Sequence, residues 1–232
     1  KRRAISSLYD TINKRIIIFG GEDALFPINQ SLAVNLPATG IFYYQELALM
    51  VNNAVRDAQV SVYDSANQRM ISAFGYGRIY NPALPEDTGY HLNEIWGLSV
   101  GDNSLRHISP YMSPLARELP SVVYDSLNNR LVAFGGLSYN QGDTLNDTWA
   151  LSLNSATNST WTRLSPGGTL PVKRWGASAI YDPVNQRMLI FGGKALGDLS
   201  THYSDVWELS LTSGSETWTN RTPGSGGPST GR

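Results

Sequence analysis

The chain has 232 residues, 41% of them hydrophobic and 16% charged, with 22 Gly, 12 Pro and no Cys. The missing cysteine removes disulfides, thiolate metal sites and cysteine nucleophiles. A formal net charge of −1, with no basic run beyond Lys1-Arg2-Arg3, gives no electrostatic footprint for nucleic acid.

The first element is a short run of small and apolar residues, Ala4 to Leu8, that ends in Tyr9-Asp10, with Asn13 and Arg15 following. Three apolar residues later comes Phe19-Gly20-Gly21. The same order returns at Tyr63-Asp64, Asn67, Arg69 and Phe74-Gly75. It returns again at Tyr124-Asp125, Asn128, Arg130 and Phe134-Gly135-Gly136, and at Tyr181-Asp182, Asn185, Arg187 and Phe191-Gly192-Gly193. The tyrosines are separated by 54, 61 and 57 residues. A motif that keeps register in this way marks one supersecondary unit repeated along the chain. Frequent Gly and Pro predict many short strands rather than long helices, and no apolar stretch approaches the roughly 18 residues that span a bilayer. No membrane insertion by this chain is expected.

The fourth copy shows the content of a unit. Residues 174–181 read as a strand, and Asp182-Pro183-Val184-Asn185 as a hairpin turn, because Asp and Asn side chains satisfy turn backbone and tolerate left-handed conformations. Residues 187–191 are apolar apart from Arg187, as in a strand buried on both faces, and Gly192-Gly193 ends it. After a polar loop, Val206, Glu208 and Ser210 alternate with Trp207, Leu209 and Leu211, which predicts a strand with one buried face. Trp218-Thr219-Asn220-Arg221 reads as a short outer strand. Four antiparallel strands per unit predict an all-β propeller.

Asn146-Asp147-Thr148-Trp149 and Trp161 repeat the plan in the third copy, and Asn93-Glu94-Ile95-Trp96 in the second. In the first, Asn29-Gln30-Ser31-Leu32 stands for Asn-Asp-Thr-Trp, with Tyr43-Tyr44 near the outer Trp. An Arg before the first strand, the Gly-Gly doublet, the Asn-Asp-x-Trp third strand and the Trp opening the fourth resemble the kelch repeat. The Tyr-Asp-Pro-x-Asn-x-Arg form is similar to bacterial kelch-type proteins. The resemblance implies a β-propeller of four-stranded antiparallel blades whose first strands line a central channel. The blades are expected at about residues 1–55, 56–116, 117–173 and 174–231. Because closed rings of the family more often have five to seven blades, and Arg232 sits where a further blade would open, the expectation is four blades of a larger ring.

In an antiparallel meander the loops between second and third strands share a rim with the segments that enter the first strands, and that rim is the default binding face. Its loops are residues 22–28, 76–92, 137–145 and 194–203. They offer Tyr76, Arg78, Tyr80, Tyr90 and His91 in the longest loop, and Tyr139, His202 and Tyr203 elsewhere, as candidate ligand-binding side chains. Arg56, Arg117, Arg174 and Arg232 recur before the inner strands. Guanidinium groups gathered there would clamp carboxylates, a role the kelch resemblance also implies for acidic motifs; alternatively each Arg pairs internally with an Asp or with loop carbonyls.

Enzymatic relatives of the repeat use a cysteine-linked tyrosine with copper, or a Glu, Asp and His cluster with iron, and neither constellation is present. His91, His107 and His202 lack metal-ligand spacing. No catalytic residue, metal or cofactor is therefore assigned. The expected function is a non-enzymatic interaction scaffold for a protein or polymeric partner. The alternatives are a carbohydrate-binding or carbohydrate-active domain with its site at the channel mouth, and a part of a larger kelch-type enzyme. A low charged fraction with abundant Ser, Thr and Asn suggests an extracellular or periplasmic setting.

Overall fold

The computed structural model describes residues 2–23, 28, 30–49, 56–79, 88–108, 110–153, 159–196 and 202–224, and the chain divides into two compact units, Lys1–Ser109 and Pro110–Arg232. Each unit holds two of the sequence repeats. All regular structure among the described residues is β.

In the first unit β1 (Ser6–Asp10), β2 (Arg15–Phe19), β3 (Gln30–Asn35) and β4 (Tyr43–Leu49) form an antiparallel meander. The second repeat places β5 (Val60–Asp64), β6 (Arg69–Ala73), β9 (Ile95–Ser99) and β10 (Leu105–Ile108) in the same order. A separate hairpin of β7 (Tyr76–Ile79) and β8 (Thr88–His91) rises between β6 and β9. In the second unit β11 (Ser121–Asp125), β12 (Arg130–Ser138), β13 (Asp143–Ser152) and β14 (Trp161–Leu164) make the third sheet. The fourth contains β16 (Ser178–Asp182), β17 (Arg187–Phe191), β18 (Val206–Ser210) and β19 (Thr217–Asn220), with β15 (Gly167–Gly168) added in parallel at its outer edge.

The repeated motif builds the first hairpin of each sheet. Asp10 Oδ1 accepts the N–H groups of Ile12 at 3.0 Å and Asn13 at 3.2 Å, and Oδ2 accepts from Asn13 Nδ2 at 2.8 Å and Arg15 Nε at 2.9 Å. One carboxylate thus satisfies four donors, an Asx-type turn reinforced by charge. The residue before each Arg completes the turn with a positive φ: 55° at Lys14, 49° at Gln68, 47° at Asn129 and 49° at Gln186. Asp10, Asp64 and Asp125 are fully buried in doing so.

The same motif couples neighbouring sheets. In the first unit Asn13 Nδ2 and Arg15 donate to the Val100 carbonyl of the second repeat at 3.0 and 2.9 Å. In the second unit Asn128 Nδ2 and Arg130 donate to the Leu211 carbonyl of the fourth repeat at 3.3 and 2.9 Å, and Arg130 also reaches Glu216 at 2.8 Å. The glycine doublets dock the other end. Gly21 N–H donates to the Arg56 carbonyl and Gly136 N–H to the Arg174 carbonyl, each at 2.9 Å. A Cβ on Gly135, whose φ is +66°, would lie 2.6 Å from that Arg174 oxygen, so only glycine permits the approach. Between these polar ends the sheets bury Val132, Phe134, Met188, Leu209 and Trp218 in the second unit, and Ile17, Phe19, Met70 and Leu98 in the first.

Several sequence expectations shift in detail. The fourth repeat's first strand starts at Ser178 rather than near Arg174, because Gly176 takes a φ of +67° and Trp175 pairs instead with Lys194. The second inner hairpin strand is buried along its whole length in β12, whereas in β17 alternate residues are half-exposed. Segments 76–92 and 137–145, read as loops, are hairpins: β7 pairs with β8, and β12 and β13 extend past a bulge after Phe134 to Ser138 and Asp143.

Candidate functional site

Two kinds of segment form the rim of the second unit: the strands that lead toward β11 and β16, and the extended tips of the second-to-third hairpins. Backbone hydrogen bonds tie them together. Glu118 exchanges both its bonds with Leu137, Trp175 exchanges both with Lys194, and Arg174 N–H donates to the Leu145 carbonyl at 3.1 Å. An ion pair between Lys173 and Asp143 joins the third repeat's hairpin to the approach to the fourth. In the second unit these bonds bring residues 137–145 and the start of 194–203 beside the segments that lead into β11 and β16.

Arg117 and Arg174, which precede β11 and β16, lie beneath this rim, and Arg56 precedes β5 in the first unit. Arg56, Arg117 and Arg174 are 0, 0 and 1% exposed. Arg117 donates Nη1 and Nη2 to the two carboxylate oxygens of Asp147 at 2.6 and 3.0 Å, Nη1 to the Gly135 carbonyl at 2.8 Å, and Nε to the Leu115 carbonyl at 3.0 Å. Arg174 repeats the set on Asp205, the Gly192 carbonyl and the Val172 carbonyl, and its guanidinium lies 4.4 Å from the centre of the Tyr203 ring. Each Asp also accepts the indole N–H two residues on, Trp149 at 2.7 Å and Trp207 at 2.6 Å. Burial raises both carboxyls, and the Arg and Trp hydrogen bonds overturn that and hold them below the ordinary Asp value. Asn-Asp-x-Trp and the leading Arg are thus one buried cluster.

In the first unit Arg56 makes the corresponding pair with Glu94 at 3.1 Å and a bond to the Phe74 carbonyl at 2.8 Å. Burial pushes its pKa down to about 10 against the opposing pull of Glu94. In the first repeat Arg2 and Gln30 take these positions, with a neutral side chain in place of the carboxylate. Arg232 lies outside the described residues.

The remaining candidates divide between packing and exposure. Tyr76 and His91 face each other across the β7–β8 ladder in an edge contact, ring centres 5.7 Å apart. His91 is buried, and burial pushes its pKa down to about 4. Tyr76 and Tyr90 are half-buried, and Gly89 lacks a Cβ where one would collide with the Tyr76 hydroxyl. Arg78 sits opposite Gly89 in the ladder, and Tyr80 lies outside the described residues. His202 forms a bridge with Lys194, while Tyr203 covers Arg174. Tyr139 is 65% exposed at the tip of the third repeat's hairpin.

Tyr139 has company that the sequence reading did not single out. Tyr111, Met112 and Leu115 on the approach to the third repeat, Leu170 and Val172 on the approach to the fourth, and Leu196 on its hairpin are all exposed. A cleft of about 430 Å³ opens beside Leu170, lined also by Asn146, Asp147, Arg163 and Pro166 among others. The signal was present as apolar residues in otherwise Pro-, Gly- and Ser-rich connectors. Among the described residues no group of three or more His, Asp or Glu is placed to hold a metal ion.

The KLHDC2/KLHL20/DRC7 Kelch-repeats domain is the family whose model matches this chain, over residues 85–232. The chain belongs to the kelch-repeat family. The Arg–Asp–Trp cluster, the glycine doublet and the Asp-x-x-Asn-x-Arg latch are therefore features of kelch repeats in this chain. Dynein regulatory complex subunit 7 of Chlamydomonas reinhardtii is 34% identical over 121 residues, which are 51% of this chain and 10% of that protein. The chain spans a small part of that relative's length.

Proposed function

We propose that this kelch chain is a protein-interaction module, that its four sheets are blades of a propeller, and that a protein partner docks on the hairpin rim of the second unit. The carrying observation is where its exposed apolar residues lie. In the second unit Leu115, Tyr139, Leu170, Val172 and Leu196 occupy the rim segments, whereas Leu127 and Val184 lie on the opposite turns, Ile180 on β16, and Tyr111 beside Thr160 just ahead of β14. Exposed apolar groups gathered on one face, with polar residues around them, are a mark of protein docking surfaces. The scaffold beneath is rigid, because each hairpin is held by buried ion pairs and backbone bonds to the next repeat, so little ordering is needed when a partner binds. The family supports a scaffold role, and one relative is by its name a subunit of a complex. Fold alone does not select the partner.

Site-directed photo-crosslinking tests this reading. A benzoylphenylalanine placed at position 139 or 172 should yield a discrete protein adduct in extract of the source organism, and the same group at position 127 or 184 should not. Adducts of equal yield from both sides, or only from the turn side, would sink the proposal.

A further inference from the structure

We infer that the segment received by this rim is an apolar, uncharged stretch of polypeptide and not an acidic one, an inference that rests on the rim reading above. An arginine-lined channel mouth invites the opposite expectation, and the geometry removes its basis.

Among the described residues, Arg117, Lys173, Arg174 and Lys194 at the rim of the second unit each have a counter-charge or a ring. Both carboxylate oxygens of Asp147 accept from Arg117, and both of Asp205 from Arg174. Carbonyls take further donors of the same two guanidinium groups, Gly135 and Leu115 for Arg117, Gly192 and Val172 for Arg174. Lys173 is paired with Asp143, and Lys194 lies over the Trp175 ring at 5.7 Å. Arg163, exposed, lines the outer cleft together with Asp147.

What each arginine site offers outward is its carboxylate. The side chains of Asp147 and Asp205 are 14 and 23% exposed above guanidinium groups that are 1% exposed. An arriving carboxylate would meet like charge first, and could reach a guanidinium only by displacing a bidentate partner from a buried pair. Apolar side chains meet no such barrier. Leu115, Tyr139, Leu170, Val172 and Leu196 stand between these closed ion pairs, so the binding energy open to a partner here is the removal of apolar surface from water.

Panning a display library of random linear peptides against the whole chain tests this. Enriched peptides should carry aliphatic and aromatic side chains with little net charge. Their affinity should change less than about twofold between about 50 mM and about 500 mM NaCl, since no exposed charge pair is formed. Val172→Asp should weaken them at least about tenfold, and Val184→Asp should leave them unchanged. Enrichment of acidic peptides whose affinity falls about tenfold or more across that salt range would overturn the inference while leaving the rim as the docking face. Peptides indifferent to Val172→Asp, or no enrichment at all, would overturn the rim reading and this inference together.

Discussion

The Tyr181 hydroxyl donates to Asp125 Oδ1 at 3.1 Å, so the tyrosine of one repeat's turn motif reaches the aspartate of the preceding repeat's. That aspartate also accepts from Asn128 and, through Oδ2, from Arg130 Nε at 2.9 Å, while Arg130 and Asn128 reach forward to Leu211. Tyr, Asp, Asn and Arg therefore form one continuous network across two repeats. Tyr181→Phe should cost about 1 kcal/mol, the net worth of one hydrogen bond, and Asp125→Ala about 3 kcal/mol or more, because it leaves Arg130 Nε and both donors of Asn128 without their buried acceptor, Glu216 being the one carboxylate that Arg130 keeps. Urea unfolding midpoints of the two variants check the order.

The glycine doublet separates backbone strain from open space. Gly135→Ala places a Cβ against the Arg174 carbonyl at a φ of +66°, and should cost about 2–4 kcal/mol. Gly142→Ala has a similar φ of +61° with nothing within 4 Å, and should cost about 1 kcal/mol. Equal losses in chemical denaturation would show that sheet-to-sheet docking is not what demands glycine.

Burial sets the weight of the ion pairs. Arg117→Ala should destabilise the chain by about 3–5 kcal/mol by stranding Asp147 among Trp149 and the Gly135 carbonyl. Lys173→Ala removes an exposed pair and should change stability by less than about 1 kcal/mol.

His91 gives a pH dependence with a definite sign. Burial pushes its folded pKa down to about 4, below the value near 6.5 of an unfolded histidine. The unfolded chain therefore takes up the proton first, and stability falls as pH drops from about 6.5 toward about 4, with no contribution from this group above that window. The urea midpoint should decline between pH 7 and pH 5 for the natural chain. In His91→Gln that part of the decline should vanish, whatever the variant's own loss at pH 7.

Much of the fold was legible because its determinants are local. Asp-x-x-Asn specifies a turn wherever it occurs, and the alternation around Trp207 and Leu209 places one face of β18 in the core. The register of Asn-Asp-x-Trp with the leading Arg was visible, but its meaning was not. Whether Arg174 faces a ligand or Asp205 depends on a side-chain path that crosses 31 residues of chain. The hairpin of β7 and β8 was hidden for a similar reason: the exchange of Tyr76 with His91 is a pairing across a long insertion with no Asn-Gly or Gly-Gly turn to announce it. The exposed apolar rim was missed because Leu115 or Val172 in a sequence cannot be told from a core residue until the connectors are placed.

Hydrogen exchange on the chain, with and without a bound apolar peptide taken from panning, tests the central claim most directly. Docking on the rim predicts slowed exchange in residues 137–145, 167–175 and 194–196, and unchanged exchange in the turns at 126–129 and 183–186. Protection confined to those turns, with the rim segments exchanging as before, would contradict it.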